Sequence, residues 1–163
     1  VILVSPMPPL LIVLSKVVPY FAISLINFTN VLVIAVFLLD VPVNGNLISL
    51  YLVSIIFIFV ALALGLLISS VTDRQLVALL MTALGLMMPV VMLSGLMFPI
   101  ENMPVVLQGI AQIIPAKWYI EAIRDIMIKG LGLVDVLKEI SVLSFMAVVL
   151  IAASLKKFKI RLE

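Results

Sequence analysis

The chain has 163 residues, of which 66% are hydrophobic and only 11% are charged, and its formal net charge is +2. A soluble domain of this size cannot bury so much apolar surface, and the small net charge gives no indication of a nucleic-acid partner. Cysteine and histidine are both absent, which excludes disulfides, thiolate metal sites and histidine-based catalysis. The composition therefore indicates a protein that lies in the lipid bilayer.

Four apolar stretches predict membrane-spanning helices, because each is long enough to cross a hydrocarbon core of roughly 30 Å. Two short polar connections, residues 40–46 and 69–74, separate the first three stretches, and the first of them contains the turn signal Asn44-Gly45. Such short connections predict antiparallel neighbours. We therefore expect an all-α fold, a polytopic transmembrane helix bundle forming one domain over residues 1–163. The predicted spans are residues 17–39, 47–71, 76–98 and 133–155.

The positions of lysine and arginine predict the orientation of the bundle. The tail at residues 156–163 carries four basic residues, whereas the 40–46 turn carries none. We therefore place both ends of the chain, including this tail, on the cytoplasmic side. The sequence begins with Val1 rather than methionine, which suggests that an upstream part is missing.

Residues 99–132 form an external segment between the third and fourth spans. Pro104 is placed to begin a helix, and Pro115 would break that helix. A second helix then extends to about Lys129. The two prolines predict a re-entrant or interfacial helical hairpin. The alternative is an ordinary amphipathic helix that lies flat on the outer leaflet with its charges solvated.

Three charged residues, Lys117, Glu121 and Arg124, share one face of the second external helix at spacings of four and three residues. Side chains at these spacings are close enough to form ion pairs. The simplest interpretation of Glu121 and Arg124 is an ion pair that stabilises a partly buried helix. A role in external gating, or in the release of a substrate toward lipid, is the functional alternative.

Polar side chains within the spans are candidates for the lining of a path or for contact with a partner chain, because unpaired polar groups avoid lipid. Asn27 and Asn30 lie three residues apart on one helix face. Serine and threonine more often bond to a carbonyl of the preceding helical turn or join neighbouring helices. The candidates are Asn27, Asn30, Thr82 and Ser94.

The third span contains Gly85, Pro89 and Gly95. These residues predict either a hinge or a place where helices pack closely, and close packing is the simpler interpretation. Pro89 is the helix breaker of this span, as Pro104 and Pro115 are of the external segment.

Three stretches are similar to a known family. Residues 93–104 (LSGLMFPIENMP), followed by residues 114–130 (IPAKWYIEAIRDIMIKG), resemble the C-terminal signature region of ABC-2 type transporter permeases, the membrane subunits of ATP-binding-cassette exporters. Residues 3–16 (LVSPMPPLLIVLSK) are similar to the cytoplasmic segment that leads into the third helix of this family. The resemblance covers nearly the whole chain and implies that its four spans are the last four of six helices.

The resemblance implies an exporter of compounds such as drugs in a prokaryotic plasma membrane, the inner or cell membrane. It further implies two partners, an ATP-binding cassette ATPase subunit and a second permease half, identical or different. ATP and Mg²⁺ would be bound by the ATPase, since this chain has no GxxxxGK[ST] phosphate loop. We expect no catalytic, cofactor-binding or metal-binding residue in this chain.

Two other classes of membrane protein stay open beside the permease. A membrane scaffold or channel subunit without ATP coupling is the alternative, and the presence or absence of a stable ATPase partner separates the two. A membrane-embedded enzyme is disfavoured, because such enzymes usually need buried carboxylate pairs or histidine clusters.

Overall fold

The computed structural model describes residues 9–72 and 74–162. Residues 1–8, which include the beginning of the 3–16 stretch similar to the family's cytoplasmic segment, lie outside the described residues, as do Asp73 and Glu163. Within the described residues the regular secondary structure is all helical and contains no strand, which confirms the predicted all-α class. The α-helices are α1 Pro9–Phe37, α2 Leu47–Val71, α3 Gln75–Leu80, α4 Met88–Leu93, α5 Val105–Ala111, α6 Pro115–Met127 and α7 Leu137–Leu162, with a π-helix at Met81–Met87 and a 3-10 helix at Ile100–Asn102.

Four stretches of the described helices are long and apolar enough to cross a membrane, which confirms the predicted four-span bundle. The third ends five residues earlier than expected, because Gly95 adopts a positive φ of 81° and turns the chain out of the helix. The fourth begins later, because the Asp135 carboxylate accepts the Gly132 N–H at 3.0 Å and holds these residues in a turn. The candidate spans are Val17–Phe37, Leu47–Val71, Gln75–Leu93 and Leu137–Ser154.

The core lies where α2, α6 and α7 meet. Leu50 and Val53 of α2, Ile126 of α6 and Leu143 of α7 are fully buried there. In water, burial of one such side chain stabilises the fold by about 1.5–3 kcal/mol. In lipid this hydrophobic contribution is absent, and van der Waals packing between the helices stabilises the core. The remaining two spans, α1 and the third span, have no buried residue in their apolar windows. They therefore leave apolar surface for lipid or for a neighbouring chain.

The third span contains a π-helical turn next to its proline. Met81–Met87 is π-helical, and α4 continues it directly, with Pro89 near the start of α4. Proline lacks the N–H, and its ring displaces the carbonyl of residue 85, so a wider turn accommodates it without ending the helix. The expected close packing at Gly85 is wrong for the described residues, because a Cβ there would meet nothing within 4 Å.

The external segment is divided at its prolines. Pro104 occupies the cap position before α5, so the helix begins one residue later than expected, and Pro115 begins α6. Proline suits these places because it needs no N–H partner at a helix start. Gly130, with a φ of 71°, follows the end of α6. The hairpin itself, and its entry into the membrane, stay a prediction.

The turn between α1 and α2 is fixed to the end of α6. The Asn44 backbone N–H donates to the Met127 carbonyl, and its side-chain amide donates to the Ile128 carbonyl, both at 3.0 Å. The last carbonyls of a helix have no partner within it, and these two bonds satisfy two of them. Gly45 lies against the Ile126 carbonyl oxygen so closely that there is no room for a Cβ. The turn and α6 therefore form one rigid contact.

We expect Gly45→Ala to destabilise the folded protein by about 1–3 kcal/mol, because the added methyl group would overlap backbone that cannot rotate away. The measurement is the thermal unfolding midpoint of the purified protein in mild detergent. Gly109→Ala is the matched control, since a Cβ there meets nothing within 4 Å and alanine favours the helix. Equal midpoints for the two variants would contradict the tight contact between the turn and α6.

Candidate functional site

A polar cleft of about 400 Å³ lies at the end of the bundle that carries the α1–α2 turn, where the third span meets α6. The end of α4 contributes one wall, α6 the opposite wall, and the segment around α5 closes the cleft. This site brings the predicted path residue Ser94 together with all three predicted external residues. The polar side chains that line it are those of Ser94, Glu101, Gln108, Gln112, Lys117, Glu121 and Arg124.

Lys117 is buried although it carries a charge, with only 6% of its surface exposed. Its Nζ lies 3.6 Å from Glu121 Oε1 and 4.5 Å from the centre of the Trp118 ring. A buried ammonium needs such compensation, because its transfer from water is costly. The Trp118 ring is itself fixed, since its N–H donates to the Gln112 carbonyl at 2.9 Å. An amphipathic helix lying flat on the outer leaflet would leave the Lys117 ammonium in water. The burial of Lys117 does not fit that alternative.

The expected ion pair between Glu121 and Arg124 is wrong. The ion pairs found in the described part of the chain join Lys117 to Glu121 and Asp125 to Lys129, the second at 2.6 Å. The Glu121 carboxylate is directed toward the preceding helical turn, where Lys117 lies, and Arg124 is left for another acceptor. Its Nη2 lies 3.4 Å from the Gly95 carbonyl oxygen, a long hydrogen bond between α6 and the end of the third span.

Ser94 is 2% exposed, and its Oγ has no hydrogen-bond partner within the described residues. Most buried hydroxyls have a partner, so an unpaired one needs an explanation. Because Ser94 lines the cleft, a group bound in the cleft would be in a position to supply that partner.

The other predicted path residues lie away from the cleft. Asn27 and Asn30 are exposed on α1. Thr82 is exposed as well, and its hydroxyl donates to the Ala78 carbonyl at 2.8 Å, the local bonding common for threonine in helices. That any of these three faces a path or a second permease half stays a prediction.

Residue patterns alone did not reveal a contact between α2 and α6. Tyr119 Oη lies 3.1 Å from Ser54 Oγ, which itself donates to the Leu50 carbonyl at 2.8 Å, so the phenol is the donor. The Tyr119 ring stacks on Phe57 with centroids 4.0 Å apart. Burial raises the pKa of Tyr119. Helical spacing puts Tyr119 on the face of α6 opposite Lys117 and Glu121, and that position is the signal in the sequence from which the contact could have been found.

An apolar cavity of about 460 Å³ lies on the other side of the α5–α6 connection. It separates the third span from α2 and α7, with Gly85 and Pro89 on one side and Phe57 and Phe145 on the other. Pro115 also lines it, so two of the three predicted helix breakers meet there. The main contacts of the third span are therefore with α5 and α6, at the end of α4.

Comparison with known proteins gives one family. The family model described as ABC-2 family transporter protein matches residues 1–156. The chain is 31% identical over 152 residues to the probable multidrug ABC transporter permease YbhS of Escherichia coli (strain K12), covering 93% of this chain and 40% of that protein. It is 33% identical over 132 residues to the probable multidrug ABC transporter permease YbhR of the same organism, covering 81% and 36%.

A third relative is eukaryotic. The chain is 33% identical over 122 residues to ABC transporter G family member 20 of Dictyostelium discoideum, covering 75% of this chain and 17% of that protein. The chain thus spans less than half the length of each of these relatives. No solved structure matches it significantly.

We expect Tyr119→Phe and Ser54→Ala each to lower stability by about 0.5–1 kcal/mol, because each removes the hydrogen bond between α2 and α6. Unfolding midpoints in detergent for both single variants and the double variant give the coupling between the two residues. Strictly additive effects would show that the bond contributes nothing.

We also expect a specific alkaline effect. The pKa of Tyr119 is raised in the folded protein. Its contribution to the free energy of unfolding is therefore fully present below about pH 10, the pKa of tyrosine in the unfolded chain. That contribution is lost as the pH rises through the folded-state value. Unfolding midpoints measured against pH should therefore fall less steeply above pH 10 for Tyr119→Phe than for the parent. Parallel curves would contradict the burial of a neutral phenol.

Proposed function

This chain belongs to the ABC-2 transporter family, and from that membership we propose that it forms part of the transmembrane path of an ATP-driven exporter. The observation that carries the proposal is the match of the family model to residues 1–156, nearly the whole chain. The described structure is consistent with it, since the chain contributes four candidate spans. The bacterial relatives are named as probable multidrug permeases, so hydrophobic drugs are the first substrates to test.

In this proposal a separate ATPase subunit binds ATP and Mg²⁺, since this sequence has no phosphate loop of the GxxxxGK[ST] kind. A second permease half, identical or different, packs on the unburied faces of α1 and the third span. Exposed Asn27 and Asn30 on α1 would then face that half or the path between the halves. Both ends lie in the cytoplasm of a prokaryote, and the polar cleft opens on the outer side of the plasma membrane.

Two features make the third span the moving part of the proposed mechanism. The apolar cavity separates it from α2 and α7, and the π-helical turn before Pro89 is a place where a helix can bend. At its outer end, the long hydrogen bond from Arg124 to the Gly95 carbonyl joins it to α6. We therefore assign Arg124 to an external gate that is closed while this bond is made and open when the third span tilts.

The test of the function uses the protein as its gene encodes it, co-expressed with the neighbouring coding sequences. A stable complex with an ATPase is expected, with ATP-dependent efflux of a fluorescent hydrophobic dye from proteoliposomes. An inactivating substitution in the ATPase nucleotide site should abolish the efflux. Purification without an ATPase, together with dye movement that ignores ATP, would contradict the exporter and favour a channel or scaffold subunit.

For the gate, we expect Arg124→Ala to reduce the export rate several-fold in complexes that assemble normally, because the closed position of the third span loses its link to α6. Glu121→Ala should have a similar effect through release of Lys117. Lys129→Ala is the matched control, since exposed Lys129 lies just after the end of α6 and pairs only with Asp125 among the described residues. Parental export by Arg124→Ala and Glu121→Ala would remove these residues from the gate.

A further inference from the structure

We propose that the polar cleft binds the headgroup of a membrane phospholipid that carries both a phosphate and a primary ammonium, as phosphatidylethanolamine does. The bound lipid would be a molecule of the outer leaflet of the bilayer. The inference rests on the proposed function only in placing the cleft on that side, and it requires no ATP turnover.

Unused hydrogen-bond donors converge in the cleft. The Lys117 ammonium has three N–H donors, and its contact with Glu121 at 3.6 Å is longer than a hydrogen bond. The buried Ser94 hydroxyl has no partner among the described residues. Arg124 uses one of its N–H groups on the Gly95 carbonyl and has others left. Phosphate oxygens accept from this combination of donors, and charge-assisted bonds to them are short and strong.

Carboxylates line the same cleft, which disfavours a simple anion as the ligand. Glu101 and Glu121 balance the positive charges of Lys117 and Arg124, so the side chains of the cleft have no net formal charge. Glu101 forms no ion pair with another described residue and is exposed at the cleft. A ligand with a negative and a positive group complements this arrangement better than a monoanion does. The ammonium of the headgroup would donate to Glu101.

Apolar cavities flank the polar cleft, which points to an amphiphile. Gln112 and Lys117 line the cleft, whereas residues 113–116 between them line the apolar cavity that separates the third span from the core. A second apolar groove of about 300 Å³ shares Pro99 with the cleft. Trp118, whose ring contacts the Lys117 ammonium, is a residue type that favours the membrane interface. A lipid can therefore place its headgroup in the cleft and an acyl chain beside it.

The test is native mass spectrometry of the complete protein released from nanodiscs that contain equal amounts of phosphatidylethanolamine, phosphatidylcholine and phosphatidylglycerol. We expect phosphatidylethanolamine to be enriched among the bound lipids. Choline has no N–H to donate, and phosphatidylglycerol brings a net negative charge toward two carboxylates. Equal binding of the three lipids would overturn the proposal, and so would phosphatidylglycerol enriched as strongly as phosphatidylethanolamine.

Variants assign the binding to the cleft. Lys117→Gln should weaken phosphatidylethanolamine binding by about tenfold, as expected for loss of a charge-assisted hydrogen bond. Ser94→Ala should weaken it by about fivefold and leave the fold intact, because the hydroxyl has no partner within the described protein. Glu101→Gln should abolish the preference over phosphatidylcholine. Lys129→Gln, the control just after the end of α6, should change nothing.

If Lys117→Gln does not fold, Ser94→Ala and Glu101→Gln still test the site, and parental binding by both would overturn it. Loss of the bound lipid in an excess of inorganic phosphate would show a site for a free anion and would also overturn it. Lipid binding is measured without ATP. A negative lipid result would therefore not contradict the proposed exporter function. An exporter that fails in efflux assays would likewise leave the lipid measurement valid.

Discussion

The docking of α6 against α2 and α7 is the contact on which the rest of the structure depends. Three kinds of interaction maintain it: apolar burial around Ile126, the bond from Tyr119 to Ser54, and the two Asn44 bonds to the last carbonyls of α6. In lipid, apolar burial drives helix association less than it does in water, so specific packing and hydrogen bonds decide where a helix lies. The position of α6 in turn fixes the charged groups of the cleft.

A fixed α6 and a loosely packed third span give the bundle two parts. The apolar cavity lies between the third span and the core, and the π-helical turn next to Pro89 weakens the hydrogen-bond ladder of that span. Across the cleft, Ser94 and Gly95 directly follow the third span, whereas Lys117 and Arg124 belong to α6. Any displacement of the third span therefore changes the distance between the two walls of the cleft. In an exporter, such a displacement would couple the path to the outer side.

Apolar runs predicted the four spans correctly, because the thickness of the bilayer constrains the length of a spanning helix. The ends of the spans depended on local geometry that composition does not encode. The positive φ of Gly95 and the turn at Asp135 shortened the third and fourth spans. The helical spacing correctly grouped Lys117, Glu121 and Arg124, but it allowed two ion pairs for Glu121, and only the packing of α6 selected Lys117. The place of Ser94 beside them depends on a tertiary contact, which a pattern along one helix cannot show.

The central claim is that the third span moves while α6 stays docked to the core, and distances between spin labels test it most directly. Labels at exposed Ile48 and Ile128 report on the start of α2 and the end of α6, and labels at exposed Met97 and Ile128 report on the segment after the third span and the end of α6. Double electron–electron resonance would be measured on the assembled complex, with and without ATP. We expect the Met97–Ile128 distance to change and the Ile48–Ile128 distance to remain constant. A constant Met97–Ile128 distance, or an equal change in both, would contradict the claim.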